Sequence, residues 1–170
     1  MPAQAFAAWL AQDYRFVSDL LPFQARLLAR SDRSEQEVLA GGLVALVAEL
    51  GWFERQAQGR GLELSVPRGS VTAAYRDCLD ELERSPYEVA LLGLWAMERA
   101  YLEAWGSAAP GHTAYREFVA HWTTPEFAGY VAALEAAADE ALGPAHQRAA
   151  EAAFLAVARL ERDFWAAGAP

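Results

Sequence analysis

Lysine is absent from this 170-residue chain, whose 14 basic residues are all arginine. That excludes a Schiff-base or pyridoxal lysine and the lysine of a phosphate-binding loop. Cysteine is almost absent as well: the single Cys78 can make neither an internal disulfide nor a multi-thiolate metal site, and it fits a reducing compartment. Positive charge is outweighed, 14 Arg against 23 Asp plus Glu giving a net charge of -9, so the chain repels a phosphate backbone and no nucleic-acid partner is expected. No uncharged apolar run approaches the roughly 18 residues that span a bilayer, the longest being Val38 to Ala48, so no membrane is expected as a partner. The N-terminus has no positive region and reaches Asp13 after a short apolar run, unlike a signal peptide. The expected compartment is the cytoplasm. Glycine-rich dinucleotide fingerprints, the Gly-x-Ser-x-Gly elbow and zinc spacings are all missing. His112, His121 and His146 supply no paired Glu-x-x-His of the di-iron kind, so neither a metal nor a cofactor is expected.

What is present is a core. Hydrophobic residues make up 54% of the chain, with 6 Trp, 6 Tyr and 8 Phe, which excludes disorder and disulfide scaffolds. The length suits one domain, residues 1–170. Apolar spacing is helical throughout, and the expected class is all-α, a single-domain bundle of about seven helices. The first helix runs from about Gln4 to Arg30 with a kink at Pro22. A capping box, Ser34 to Glu37, opens the second, which runs to about Gln58, and Ser70 caps a third on the stripe Val71, Ala74, Tyr75, Cys78 and Leu82. Ser85-Pro86 with Glu88 opens a fourth helix to Trp105, and a fifth covers Ala114 to Trp122. Thr124-Pro125 opens a sixth, Gly143-Pro144 ends it, and a seventh covers Ala145 to Ala166.

An acid on a solvated helix face has polar neighbours one turn away, at i±3 and i±4. Four acids have only apolar ones: Asp13 (Trp9, Leu10, Phe16, Val17), Glu49 (Ala45, Leu46, Trp52, Phe53), Glu98 (Leu94, Trp95, Tyr101, Leu102) and Glu161 (Val157, Ala158, Phe164, Trp165). They lie on four different helices. Glu140 satisfies the test only formally, because Gly143 and Pro144 end its helix. Inward carboxylates require partners, raised pKa values or a wet polar pocket. Each could pair with an arginine, yet Arg15, Arg99, Arg159 and Arg162, which lie beside these acids in sequence, point elsewhere on their helices. Four together are better explained by a pocket for a basic or amide-bearing ligand, or by acid and base catalysis. Phe16, Tyr101 and Phe164 follow three of these acids by one turn, and with Tyr75 and Trp122 they would line a site for a flat heteroaromatic ligand; for a generic aromatic, ordinary core packing is the better account. Cys78 reads as a buried, inert thiol and His121 as a surface or capping residue.

On Trp9-Leu10-Ala11-Gln12-Asp13-Tyr14, Ala48-Glu49, Tyr75, Trp95-Ala96-Met97-Glu98-Arg99-Ala100-Tyr101 and Glu161-Arg162-Asp163-Phe164-Trp165, in that order, nearly the whole chain resembles the TenA family. These are thiaminase II-like proteins of haem-oxygenase-like helical fold. The resemblance implies hydrolysis of aminomethyl- or formylaminomethyl-pyrimidines from thiamin breakdown, with release of ammonia or the formyl and amine group, in thiamin salvage. Some members also cleave thiamin. It implies that Asp13 holds the pyrimidine ring nitrogen and exocyclic amine, that Tyr101 lines the site and that Glu161 protonates the leaving amine. The main branch carries a cysteine nucleophile in the fourth helix. Met97 stands there in this chain with Glu98 beside it, as in the branch that lacks the cysteine and carries a glutamate, and Phe16 stands where many members have tyrosine. The expected chemistry is therefore carboxylate acid and base catalysis by Glu161 and Glu98, with Asp13, Phe16, Glu49, Tyr75, Tyr101 and Trp122 binding substrate. A salvage intermediate is expected over thiamin itself. A homo-oligomer, dimer or tetramer, is implied, and a non-catalytic small-molecule binder on the same bundle is the alternative.

Overall fold

Apolar residues recurring every three or four positions give helix α1 (Ala3–Leu28) a continuous buried stripe of Phe6, Trp9, Leu10, Phe16, Val17, Leu20, Phe23 and Leu27. Each such side chain taken out of water contributes roughly 1.5–3 kcal/mol. Around this stripe the computed structural model, which describes residues 2–167, builds α2 (Gln36–Arg60), α3 (Ser70–Arg84), α4 (Tyr87–Ser107), α5 (Arg116–Trp122), α6 (Pro125–Ala141) and α7 (Gln147–Ala167). Single 3-10 turns at Thr113–Tyr115 and Pro144–His146 lead into α5 and α7. The described residues contain seven α-helices and no strand, as the periodicity predicts. They gather into two compact units: one holds α1, α2, α3 and the end of α7 from Arg162 onward, and the other runs from Glu88 to Glu161.

In the first unit α1 packs on α2 and α3 and is tied to α3 by polar bonds along its length. At the start of α3 the Gln12 amide oxygen accepts from the Gly69 N–H (2.7 Å) and the Thr72 hydroxyl (2.8 Å), while its nitrogen donates to the Pro67 carbonyl (3.0 Å). Arg15 donates to the Val66 carbonyl (2.7 Å), pinning the connection before α3. Midway, the buried Asp19 carboxylate accepts a two-pronged pair of bonds from Arg68 (2.6 and 2.7 Å) and a longer one from Arg76 (3.3 Å). Arg30 donates to the Glu83 and Ser85 carbonyls (2.9 and 2.6 Å), closing the end of α3. α2 ends on Gly61 at φ 65, where the Leu62 N–H reaches back to the Ala57 carbonyl (2.9 Å) and only glycine turns without strain.

Three of the expected helix starts are corrected. The Ser34–Glu37 box does not open α2, which begins at Gln36 after Glu35, with no side-chain bond at that cap. Ser70 is the first residue of α3 and not its cap; Gly69 holds that position, and Gln12 of α1 supplies the acceptor. Ser85 caps the end of α3, and its hydroxyl donates back to the Glu81 carbonyl (2.9 Å). The Thr124 expectation holds, its oxygen accepting from the Phe127 N–H (3.2 Å) at the start of α6.

In the second unit the buried residues Leu91, Leu94 and Met97 of α4, Phe118 and Val119 of α5, Val131 and Leu134 of α6, and Val157 of α7 form the apolar interior. His146 pairs with Glu88 there, and Trp95 stacks on Phe154 at 6.2 Å.

Cys78 is buried on α3, as expected, and burial with the nearby Glu81 charge pushes its thiol up to about 11. Iodoacetamide at pH 8 will therefore modify native protein about two orders of magnitude more slowly than a free thiol of ordinary pKa, accelerating as pH rises toward 11. Rapid labelling at pH 8 would show an exposed or activated thiol instead.

Candidate active site

In the first unit Asp13 lies wholly out of water, at 0% exposure, on the buried stripe of α1. Trp9 precedes it by one turn and Phe16 follows it by one turn, so the helix itself sets an aromatic on either side of the carboxylate. Phe16 meets Tyr75 of α3 at 4.7 Å between ring centres, and both rings meet Phe164 of α7, at 6.1 and 6.0 Å. Trp9 continues the group, 5.5 Å from Phe164 and 5.2 Å from Trp165. A carboxylate and a set of tilted aromatic faces is the chemistry that suits a flat heterocycle carrying N–H donors. Phe16 and Tyr75 are thus brought together, and Phe164 joins them.

Glu49 is placed differently from the other three acids. It is only half-buried, on a helix that also exposes Val44 (73%) and Val47 (60%). The neighbour test misleads on α2 because apolar residues occupy its solvated face as well, so apolar flanks do not imply an inward direction.

In the second unit Glu98 of α4 and Glu161 of α7 are both buried, at 8% and 6% exposure. One turn beyond Glu98, Tyr101 packs edge-on against Trp122 of α5 (5.6 Å, 88°) and beside Trp105 (6.3 Å). Trp105 and Trp122 lie 4.4 Å apart, and Phe127 of α6 meets Tyr101 at 6.5 Å. Trp105 is a member of this group that sequence reasoning missed; its signal was the four-residue spacing from Tyr101 along one helix face. Met97 is buried beside Glu98 in sequence. The half-buried His121 ring lies 5.5 Å from Trp122.

Two further acids are buried without having been singled out. Asp19 has Arg15 one turn earlier, which gives it the look of a solvated residue, and the arginines that hold it lie 49 and 57 positions away. Glu35 sits at the cap of α2. Three of the four arginines beside the singled-out acids bond elsewhere: Arg15 to the Val66 carbonyl, Arg99 to Glu103 (2.6 Å) and Arg162 to Asp163 (2.8 Å). No three of the described His, Cys, Asp and Glu side chains gather as a metal-ion site.

Comparison with known proteins is consistent across the chain. The family model described as TENA/THI-4/PQQC matches residues 1–169. A curated relative, a probable bifunctional TENA-E protein from Glycine max, is 34% identical over 180 residues, covering 95% of this chain and 77% of that protein. The crystal structure of a TenA homologue from Pyrococcus furiosus superposes with a TM-score of 0.91 at 27% identity, over 99% of this chain and 85% of the other. A TenA family transcription regulator from a Silicibacter species shares the fold, with a TM-score of 0.87 at 22% identity over 100% of this chain and 84% of that one. A match over residues 1–169 and a relative at 34% identity give one conclusion: this chain belongs to the TENA/THI-4/PQQC family.

Proposed function

We propose that this protein hydrolyses aminomethyl- or formylaminomethyl-pyrimidines in thiamin salvage, within the thiamin-related hydrolase or salvage role that family membership supports in general. The observation that carries the reading is the burial of three carboxylates, Asp13, Glu98 and Glu161, each one turn from an aromatic ring. In the proposed reaction Glu98 takes a proton from water as its oxygen bonds to the exocyclic methylene carbon. Glu161 gives a proton to the departing nitrogen as the carbon–nitrogen bond breaks, and ammonia leaves from the aminomethyl substrate or formamide from the formylamino one. One acid must be ionised and the other protonated, which a site achieves by giving two carboxyls different surroundings. Asp13 accepts the N–H groups of the aminopyrimidine edge, while Phe16, Tyr75, Tyr101 and Trp122 supply aromatic surface. The half-buried Glu49 is kept as a binding residue at the margin.

Met97 in place of a nucleophilic cysteine favours direct attack by water over a covalent intermediate, and hence a salvage intermediate over thiamin. The glutamate-bearing branch is proposed on Met97 and Glu98, alongside the relative named as a TENA-E protein. The regulator description of one fold neighbour is not carried over: identity there is 22%, and a chain of net charge -9 repels DNA. A non-catalytic binder on the same bundle remains the second reading, because aromatic surface and a buried acid suffice for binding.

Formation of the hydroxymethyl-pyrimidine from the aminomethyl- and formylaminomethyl-pyrimidines and from thiamin tests the reaction, with ammonia as the co-product of the aminomethyl substrate. Turnover is expected on a pyrimidine, falling by about a hundredfold or more in Glu161→Gln and Glu98→Gln with KM little changed. An unaffected rate in Glu161→Gln removes it from the chemistry; ligand-induced stabilisation of the wild type without any turnover selects the binder.

The same proposal includes a cytoplasmic homo-oligomer formed by a second copy of the chain on α2. That helix is the one described helix long and apolar enough, by length and composition, to cross a bilayer, with mean hydropathy 1.3 over a window only 22% buried. Glu49 and Glu54 on it are unsuited to lipid, so burial against another protein surface accounts better for exposed Val44 and Val47. Light scattering should give a dimer or tetramer mass that drops in Val44→Asp/Val47→Asp; a monomeric wild type contradicts it.

A further inference from the structure

Lined by none of the residues assigned to the proposed reaction, a cleft of about 310 Å³ in the first unit is formed by Arg26 of α1 and by Arg76, Asp80, Glu83 and Arg84 of α3. Three of the chain's 14 arginines meet there, in a molecule whose net charge is -9. The acids among them are already engaged. Glu83 accepts from Nε of Arg26 at 2.6 Å, and Asp80 accepts from Nη2 of Arg76 at 3.1 Å. Asp19, which also takes Nη1 of Arg76 at 3.3 Å, is neutralised chiefly by Arg68.

The donor supply exceeds these uses. A guanidinium carries five N–H groups, so Arg26 and Arg76 each keep donors beyond those their acids accept, and the ion pairs hold both side chains in place in advance of any ligand. The Arg84 side chain makes no ion pair or hydrogen bond with the described residues. A structural role for Arg84 would be to satisfy the last carbonyls of α3, yet Arg30 already donates to those of Glu83 and Ser85. Two preset guanidinium groups and a third with all its donors open are the chemistry that recognises a phosphoryl dianion, whose oxygens match the arginine fork.

We propose that the Arg26–Arg76–Arg84 cleft is a binding site for a phosphate group, distinct from the residues proposed for pyrimidine hydrolysis. The site takes either free phosphate or the phosphate of a small ester. Calorimetric titration of the whole protein at pH 8 and low salt, with inorganic phosphate and with glycerol 3-phosphate, tests it. Saturable binding of at least one is expected, weakened about tenfold by Arg84→Gln and unchanged by Arg148→Gln, an exposed arginine elsewhere. Tighter binding of the ester assigns a phosphate ester, and tighter binding of the inorganic ion assigns free phosphate. Absence of saturable binding of both, or equal binding by Arg84→Gln, overturns the proposal. Pyrimidine turnover in Arg84→Gln should stay at the wild-type level, so the two proposals fail independently.

Discussion

A carboxylate removed from water costs several kcal/mol unless something in the fold answers its charge, and this chain buries five acids among its described residues. Asp13, Asp19, Glu35, Glu98 and Glu161 cannot all be incidental. Asp19 shows what a structural answer looks like: two bonds from Arg68, one from Arg76, and a position that ties α1 to the segment preceding α3 and to α3 itself. Removing it would take from Arg68 both bonds of its guanidinium fork and from Arg76 one of its two acid partners. With Gln12 at one end of α3 and Arg30 at the other, Asp19 completes a set of bonds that fixes α3 along α1.

That framework has a consequence for Asp13 and Phe16. Both sit on α1 between Gln12 and Asp19, so the bonds that register α1 against α3 also set Phe16 against Tyr75 at 4.7 Å. The placement of aromatic surface in this unit therefore follows from polar contacts that take no part in chemistry. In the second unit the corresponding work is done by packing, with Trp105 and Trp122 4.4 Å apart and Tyr101 edge-on to Trp122.

Much of this was legible in the sequence, for physical reasons that can be named. Helical period and proline–glycine punctuation give all seven helices, because each buries one stripe of side chains. The burial of Asp13, Glu98 and Glu161 follows from apolar neighbours on every side. The same logic failed for Glu49, since α2 keeps apolar residues on its exposed face, and for Asp19, whose partners lie about 50 positions away in sequence. Local capping rules assume that a helix end is satisfied by its own neighbours, and at α3 they misplace the start at Ser70 because Gln12 of α1 supplies the acceptor there, while Arg30, just beyond α1, serves the other end. Trp105 was passed over because packing rings look alike in sequence, whatever they surround.

On the proposed reading, Asp13, Glu98 and Glu161 differ from Asp19 in purpose, being kept for chemistry at a cost to stability rather than for the fold. Urea unfolding of the triple variant Asp13→Asn/Glu98→Gln/Glu161→Gln measures that difference directly, since each amide preserves shape and removes the charge. The account predicts an unfolding midpoint at or above that of the wild type. A loss of about 2 kcal/mol or more would contradict it and make these acids part of the framework to which Asp19 belongs.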